Sequence, residues 1–291
     1  MLDICSSLVM NGIIGALLAC GMFISLKILK FFDLTACGSF VLGSSVCIHL
    51  ANSGMPILAI FAPIICGAIL GCMTSAIHIK FHIPKVLSGI ISSAIVFIIV
   101  DLLNSKGVFS GQIHTVYKAI MLIVCVSSVA LFYKFIVSEF GLQIRAIGGS
   151  TAFSNTFTIN RKLLSLIGLS ISNIFIALAG AIAGIISVNS VSFNGISVFL
   201  FGTVIILATE RRITQTIKYN VYYEFIYAII IGIVYYIVIY MLHNALDIST
   251  SIESISSMFS IVLIVIHFAE KQIMRQNNNN YFWGMKDIYY K

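Results

Sequence analysis

Residues 8–29 read LVMNGIIGALLACGMFISLKIL, a run of 22 residues in which Lys27 is the single charge. As a helix rising about 1.5 Å per residue, about 20 such residues cross the roughly 30 Å hydrocarbon core of a bilayer. In lipid a helix also satisfies its own backbone hydrogen bonds, which no isolated strand can do. Working outward from this run, comparable stretches recur near 36–52, 56–77, 86–104, 116–137, 163–187, 196–209, 220–242 and 254–270. The expectation is an all-α fold: a polytopic transmembrane helical bundle of about nine spans over residues 1–275, followed by a basic, aromatic tail at 276–291.

Composition agrees with the runs. Of 291 residues, 59% are hydrophobic and 9% charged, with a mean hydropathy of +1.07, whereas soluble domains carry about 25% charged residues. The formal net charge of +7 would raise nucleic acid as a partner in a soluble protein. Here the cations sit between apolar runs, so the bilayer is the expected partner and nucleic acid is not. With the N-terminus outside, the inward connections hold Lys27, Lys30, Lys80, Lys85, Lys134, Arg145, Arg161, Lys162, Arg211, Arg212, Lys218, Lys271, Arg275, Lys286 and Lys291, leaving only Lys106 and Lys118 outside. That bias predicts an N-out, C-in topology. The start, Met1-Leu2-Asp3, lacks the basic residues of a cleaved signal, so the first run is expected to be retained. The cysteines show no C-x-x-C spacing and read as small apolar fillers.

Candidate chemistry is sparse. No GxxxxGK[ST] loop is present to cradle a nucleotide triphosphate, so no cofactor is expected on this chain. His78 and His82 share a helical spacing, but without a neighbouring acid or Cys they read as interfacial histidines. Asp33 and Asp101 fall at the ends of runs and Glu210 beside Arg211 and Arg212, which leaves no carboxylate at the middle of a span and argues against an ion-coupled carrier. Gly67 with Gly71, and Gly180 with Gly184, are GxxxG pairs suited to close helix approach. Polar residues inside the runs are the candidate pathway: Gly38, Ser39, Ser92, Asn173 and Thr203, with Ser88 and Ser93 beside Ser92. Each either lines a passage or bonds a neighbouring helix, and the second is the routine use. Two short, Gly-broken runs open alike, Gly38 to Gly43 and Ser197 to Gly202, as an internal repeat would. The outward connections are short, so capture of a solute is expected to fall to a separate protein. The inward connection 139–162 is too polar to span and suits a cytoplasmic partner.

Two stretches carry a family resemblance. The first runs from Ser25 to Phe40, with Asp33-Leu34-Thr35 and then Gly38-Ser39-Phe40 opening the second run. The second is Gly141-Leu142-Gln143-Ile144-Arg145-Ala146-Ile147-Gly148, followed by Ile159-Asn160 before the next run. In both, the chain resembles permease subunits of ABC importers related to the branched-chain amino acid and ribose systems, above all the branch associated with tryptophan, tyrosine or uncharacterised substrates. Where such permeases continue Gly-x-Asn-Pro, this chain has Gly148-Gly149-Ser150-Thr151, and Thr158 stands where Gly is usual. The resemblance implies a transport subunit that is not itself an enzyme, carrying an amino acid or related solute across a bacterial cytoplasmic membrane. It implies a coupling loop at 139–162, in which Gly141, Arg145, Ala146, Gly148 and Asn160 meet a P-loop ATPase holding ATP and Mg2+. It further implies a second permease subunit, identical or homologous, and a soluble substrate-binding protein. The alternative is an ion-coupled secondary transporter, which would need no such partner.

Overall fold

Each apolar run coincides with a helix in the computed structural model, which describes residues 2–104, 115–149, 160–186, 195–216, 221–246 and 255–269. In chain order the helices are α1 (Leu2–Met22, continued by a π-helical stretch, Phe23–Ile28), α2 (Thr35–Asn52), α3 (Pro56–Phe81), α4 (Lys85–Asn104) and α5 (Thr115–Val137). Then follow α6 (Glu139–Gly149), α7 (Arg161–Ile186), α8 (Gly195–Thr216), α9 (Val221–Leu246) and α10 (Ile255–Ala269). No strand occurs among the described residues. Among the described residues, five stretches, Val9–Ile28, Ile57–Phe81, Lys85–Asn104, Arg161–Ile185 and Tyr223–His243, are long and apolar enough to cross a bilayer. The protein is a multi-pass membrane protein. The tail at 276–291 lies outside the described residues.

Two helix ends depart from the hydropathy. The run at 196–209 stops before Glu210, yet α8 continues through Arg211 and Arg212 to Thr216. Hydropathy marks where a helix meets lipid, not where its backbone bonds stop. The polar connection after α5 likewise begins with a helix, α6. Pro56 starts α3, where its missing N–H costs nothing, and His82, at φ 55°, ends it.

The bundle is organised about α7, which packs against α1, α2 and α3. Of their apolar windows, α1 buries 78% and α7 67%, whereas α4 and α9 bury 33% and form the periphery. Lipid chains are as apolar as leucine, so helices associate through close packing, which small residues permit. Along α7, Ala177, Ala179, Gly180 and Ala181 are buried. A Cβ on Gly180 would strike the Phe40 carbonyl of α2, and one on Gly67 would lie 2.5 Å from the Asn173 carbonyl. Gly71 abuts the Leu169 carbonyl in the same way, so both GxxxG pairs mark sites of backbone approach. Aromatic rings close the other side: Phe132 of α5 lies 4.8 Å from Phe175 of α7 and 5.1 Å from Phe225 of α9. Ile57, Phe61, Ile65 and Ile69 of α3 and Ile98 and Leu102 of α4 remain exposed, as lipid-facing side chains do.

Candidate functional site

The π-helical stretch after Met22 widens the end of α1: Leu29 N–H reaches the Ile24 carbonyl and Phe31 N–H the Ser25 carbonyl, both at 2.8 Å. Such insertions cluster at functional sites. Lys30 then adopts a left-handed φ of 49°, and five residues later α2 begins. Inside this short linker Asp33 is fully buried. One oxygen accepts the Thr35 N–H at 2.9 Å, capping the start of α2, where the helix dipole favours an anion. The other accepts from Asn173 Nδ2 at 2.9 Å, and that nitrogen also donates to the Leu169 carbonyl at 2.9 Å. Asn173 Oδ1 accepts in turn from the Ser39 hydroxyl at 2.5 Å. Thr35 and Thr74 share a hydroxyl bond of 2.8 Å, which adds α3 to the cluster. One polar knot therefore ties the α1–α2 linker, α2, α3 and α7 together.

Two of the five candidate pathway residues, Ser39 and Asn173, meet in this knot. Gly38 lies next to Ser39 on α2 and faces α4, where a Cβ on it would stand 3.1 Å from the Ser93 Cα. Ser92 is buried and bonds the Ser88 carbonyl of its own helix at 2.9 Å. Thr203 bonds the Leu200 carbonyl of α8 at 2.7 Å, apart from the knot. Asp33, which reads from the sequence as an end-of-run carboxylate, is instead central. The signal that could have found it is its spacing to Thr35, an Asp two residues before a helix's first N–H. A second carboxylate escaped the sequence altogether: Glu224 of α9, almost fully buried, pairs with Lys27 at 3.7 Å. The side chain of Glu210 lies outside the described residues.

The connection 139–162 begins at a tight corner. Ser138 closes α5 by donating to the Phe135 carbonyl at 2.6 Å, and its own oxygen receives the Gly141 N–H at 3.3 Å. Glycine is required at 141, because a Cβ there would lie 2.5 Å from the Ile136 carbonyl. Ile144 is buried and fixes α6 to the bundle, Arg145 is half-buried and donates to the Gly141 carbonyl at 3.3 Å, and Phe140 and Leu142 face outward. Asn160 caps α7: its side-chain oxygen receives the Leu163 N–H at 3.3 Å. Residues 150–159, and the surroundings of Ala146 and Gly148 on α6, lie outside what the structure describes. No group of three or more His, Cys, Asp or Glu that could hold a metal occurs among the described residues, and His78 instead places Nδ1 2.6 Å from the Ile83 carbonyl.

In sequence the chain resembles a transport-system permease, and in fold an ABC transporter. It is 31% identical over 187 residues to a tyrosine transport system permease protein of Clostridioides difficile (strain R20291), a match covering 60% of this chain and 62% of that one. The chain thus spans somewhat less than two thirds of that relative's length. An uncharacterised protein of Rickettsia prowazekii (strain Madrid E), RP368, is 28% identical over 203 residues, covering 64% of this chain and 72% of its own. Among solved structures, an inward-facing ABC transporter classed as metal-chelate type shares the fold, with a TM-score of 0.62 at 13% identity, covering 90% of this chain and 85% of that chain. No family model matches.

Proposed function

We propose that this chain is the membrane-spanning permease of an ABC importer and forms the translocation pathway for a small solute, an amino acid or related compound. ATP and Mg2+ belong to a separate P-loop ATPase, and the chain performs no covalent chemistry itself. It pairs with an identical or homologous permease in a bacterial cytoplasmic membrane, N-out and C-in with about nine spans, and receives solute from a soluble binding protein. Likeness to a tyrosine transport permease supports the solute class, and the bias of Lys and Arg supports the orientation.

The observation that carries the reading is the route from α6 to the polar knot. α6 presents Phe140 and Leu142 to a partner while Ile144 anchors it. Residues 150–160 join it to α7, and α7 carries Asn173, which grips Asp33. Closure of an ATPase dimer beneath α6 would load the capped end of α7 and shift the helix against α2 and the linker. Tagging the N-terminus, solubilising native membranes gently and identifying stoichiometric companions tests this, with a P-loop ATPase expected. Arg145→Glu is expected to abolish transport while leaving membrane insertion intact, and undiminished transport would remove α6 from the coupling role. One observation favours an ion-coupled carrier, the buried Asp33 carboxylate; clean recovery of the chain alone in several detergents would move the assignment there.

A further inference from the structure

At one end of the bundle a cationic, aromatic patch takes no part in the route just described. The linker after α1 supplies Lys30, and the α3–α4 turn supplies His82 and Lys85. Lys30 and His82 hold φ of 49° and 55°, and no other non-glycine among the described residues has a positive φ. L-residues avoid this region because Cβ crowds the backbone, so the surrounding packing fixes both against local preference. The Lys85 ammonium donates to the Lys30 carbonyl at 3.3 Å and stands 5.5 Å from the centre of the Phe31 ring. Phe31 meets His78 edge-on at 5.5 Å. The patch is therefore cross-braced between two connections, unlike independent surface lysines.

Among the described residues, none of Lys30, His82 and Lys85 forms an ion pair. From Phe23 to Phe32 and from His78 to Val100 the sequence contains no Asp or Glu. The adjacent Asp33 has both oxygens engaged inside the knot, and Lys27 turns inward to Glu224. Lys30, His82 and Lys85 are exposed, and beside them stand Phe81, 70% exposed, with Val86 and Leu87, also open. The exposed apolar faces of α3 and α4 continue from there into the bilayer. Cations above an apolar wall complement an amphiphile. A soluble phosphate would use the cations and leave the wall unmatched.

We propose that Lys30 and Lys85 form a headgroup site for an anionic phospholipid, whose chains lie along α3 and α4. Such a site requires only that these helices stand in a bilayer. Native mass spectrometry of the full-length protein, equilibrated with equal amounts of phosphatidylglycerol and phosphatidylcholine, tests it. Wild type is expected to retain phosphatidylglycerol selectively, and Lys30→Gln with Lys85→Gln to lower that retention roughly tenfold. Lys134→Gln, which removes an exposed cation at the end of α5, should leave retention within about twofold. Lys30→Gln alone, which keeps the backbone carbonyl under Lys85, should give an intermediate loss and serves if the double variant does not fold. Unchanged retention in these variants overturns the site, and equal loss in Lys134→Gln reduces it to general attraction. Loss of a co-purifying ATPase with lipid retention unchanged would make the patch a protein docking face and likewise overturn it.

Discussion

Asn173 uses each polar group of its side chain: its nitrogen donates to Asp33 and Leu169 and its oxygen accepts from Ser39. Asn173→Ala leaves the fully buried Asp33 carboxylate short of a donor. Hydrogen bonds between membrane helices average about 0.6 kcal/mol in double-mutant cycles, but an unpaired buried charged acceptor costs about 1–3 kcal/mol or more. The second term dominates here, so a loss of about 2 kcal/mol is expected in detergent unfolding. Asp33→Asn should also destabilise, because its new amide would face the Asn173 amide donor to donor. Pairing Asp33→Asn with Asn173→Asp restores donor to acceptor between the two side chains while losing the bond to the Leu169 carbonyl. The double variant is expected to be more stable than Asn173→Asp alone, in which two carboxylates would meet. Simple additivity would show that the two side chains do not interact. Asn173 stands out in the sequence as a polar residue in the middle of an apolar run. Asp33 does not, since hydropathy places it at a run's edge and only the fold carries the linker inward.

At the scale of elements, α7 and α2 are held at van der Waals distance by the absence of a side chain at Gly180. Gly180→Ala introduces a Cβ that meets the Phe40 backbone, which no rotamer change relieves. Overpacking of this kind costs about 1–3 kcal/mol, whereas a lipid-facing change such as Ile69→Ala falls within about 0.5 kcal/mol. The thermal midpoint of purified protein should therefore fall clearly for Gly180→Ala and hardly for Ile69→Ala. Equal midpoints would mean that α2 and α7 part without cost. The GxxxG pairs were legible as faces of close approach, but their partners were not, because spacing within one helix says nothing about which helix arrives. Asn160 shows the same limit. Its motif was legible through a family resemblance, and the structure adds that it caps α7.

At the scale of the whole molecule, the placement of Lys and Arg predicts which connections face which side. Single-cysteine reporters at Ser53 and Lys134, in a variant whose native cysteines are replaced by Ala, test it. With the N-terminus outside, Ser53→Cys should react with an impermeant thiol reagent in intact cells and Lys134→Cys only after permeabilisation. Labelling of both without permeabilisation would refute the orientation derived from Lys and Arg. Apolar runs marked nine of the ten helices among the described residues, with approximate bounds, because a bilayer imposes length and apolarity on each segment separately; α6, in a polar connection, was not among them. The extension of α8 past Arg212 was not marked either, since charges do not stop a helix whose end has left the lipid. What the sequence by itself determined is a multi-pass, all-helical protein whose cations gather in particular connections, as solvation acts residue by residue. Only the tertiary structure decided that Asp33, Ser39, Thr74 and Asn173 form one knot and that α7 is the hub. Those facts depend on which backbones can come close, and that is a property of pairs of helices.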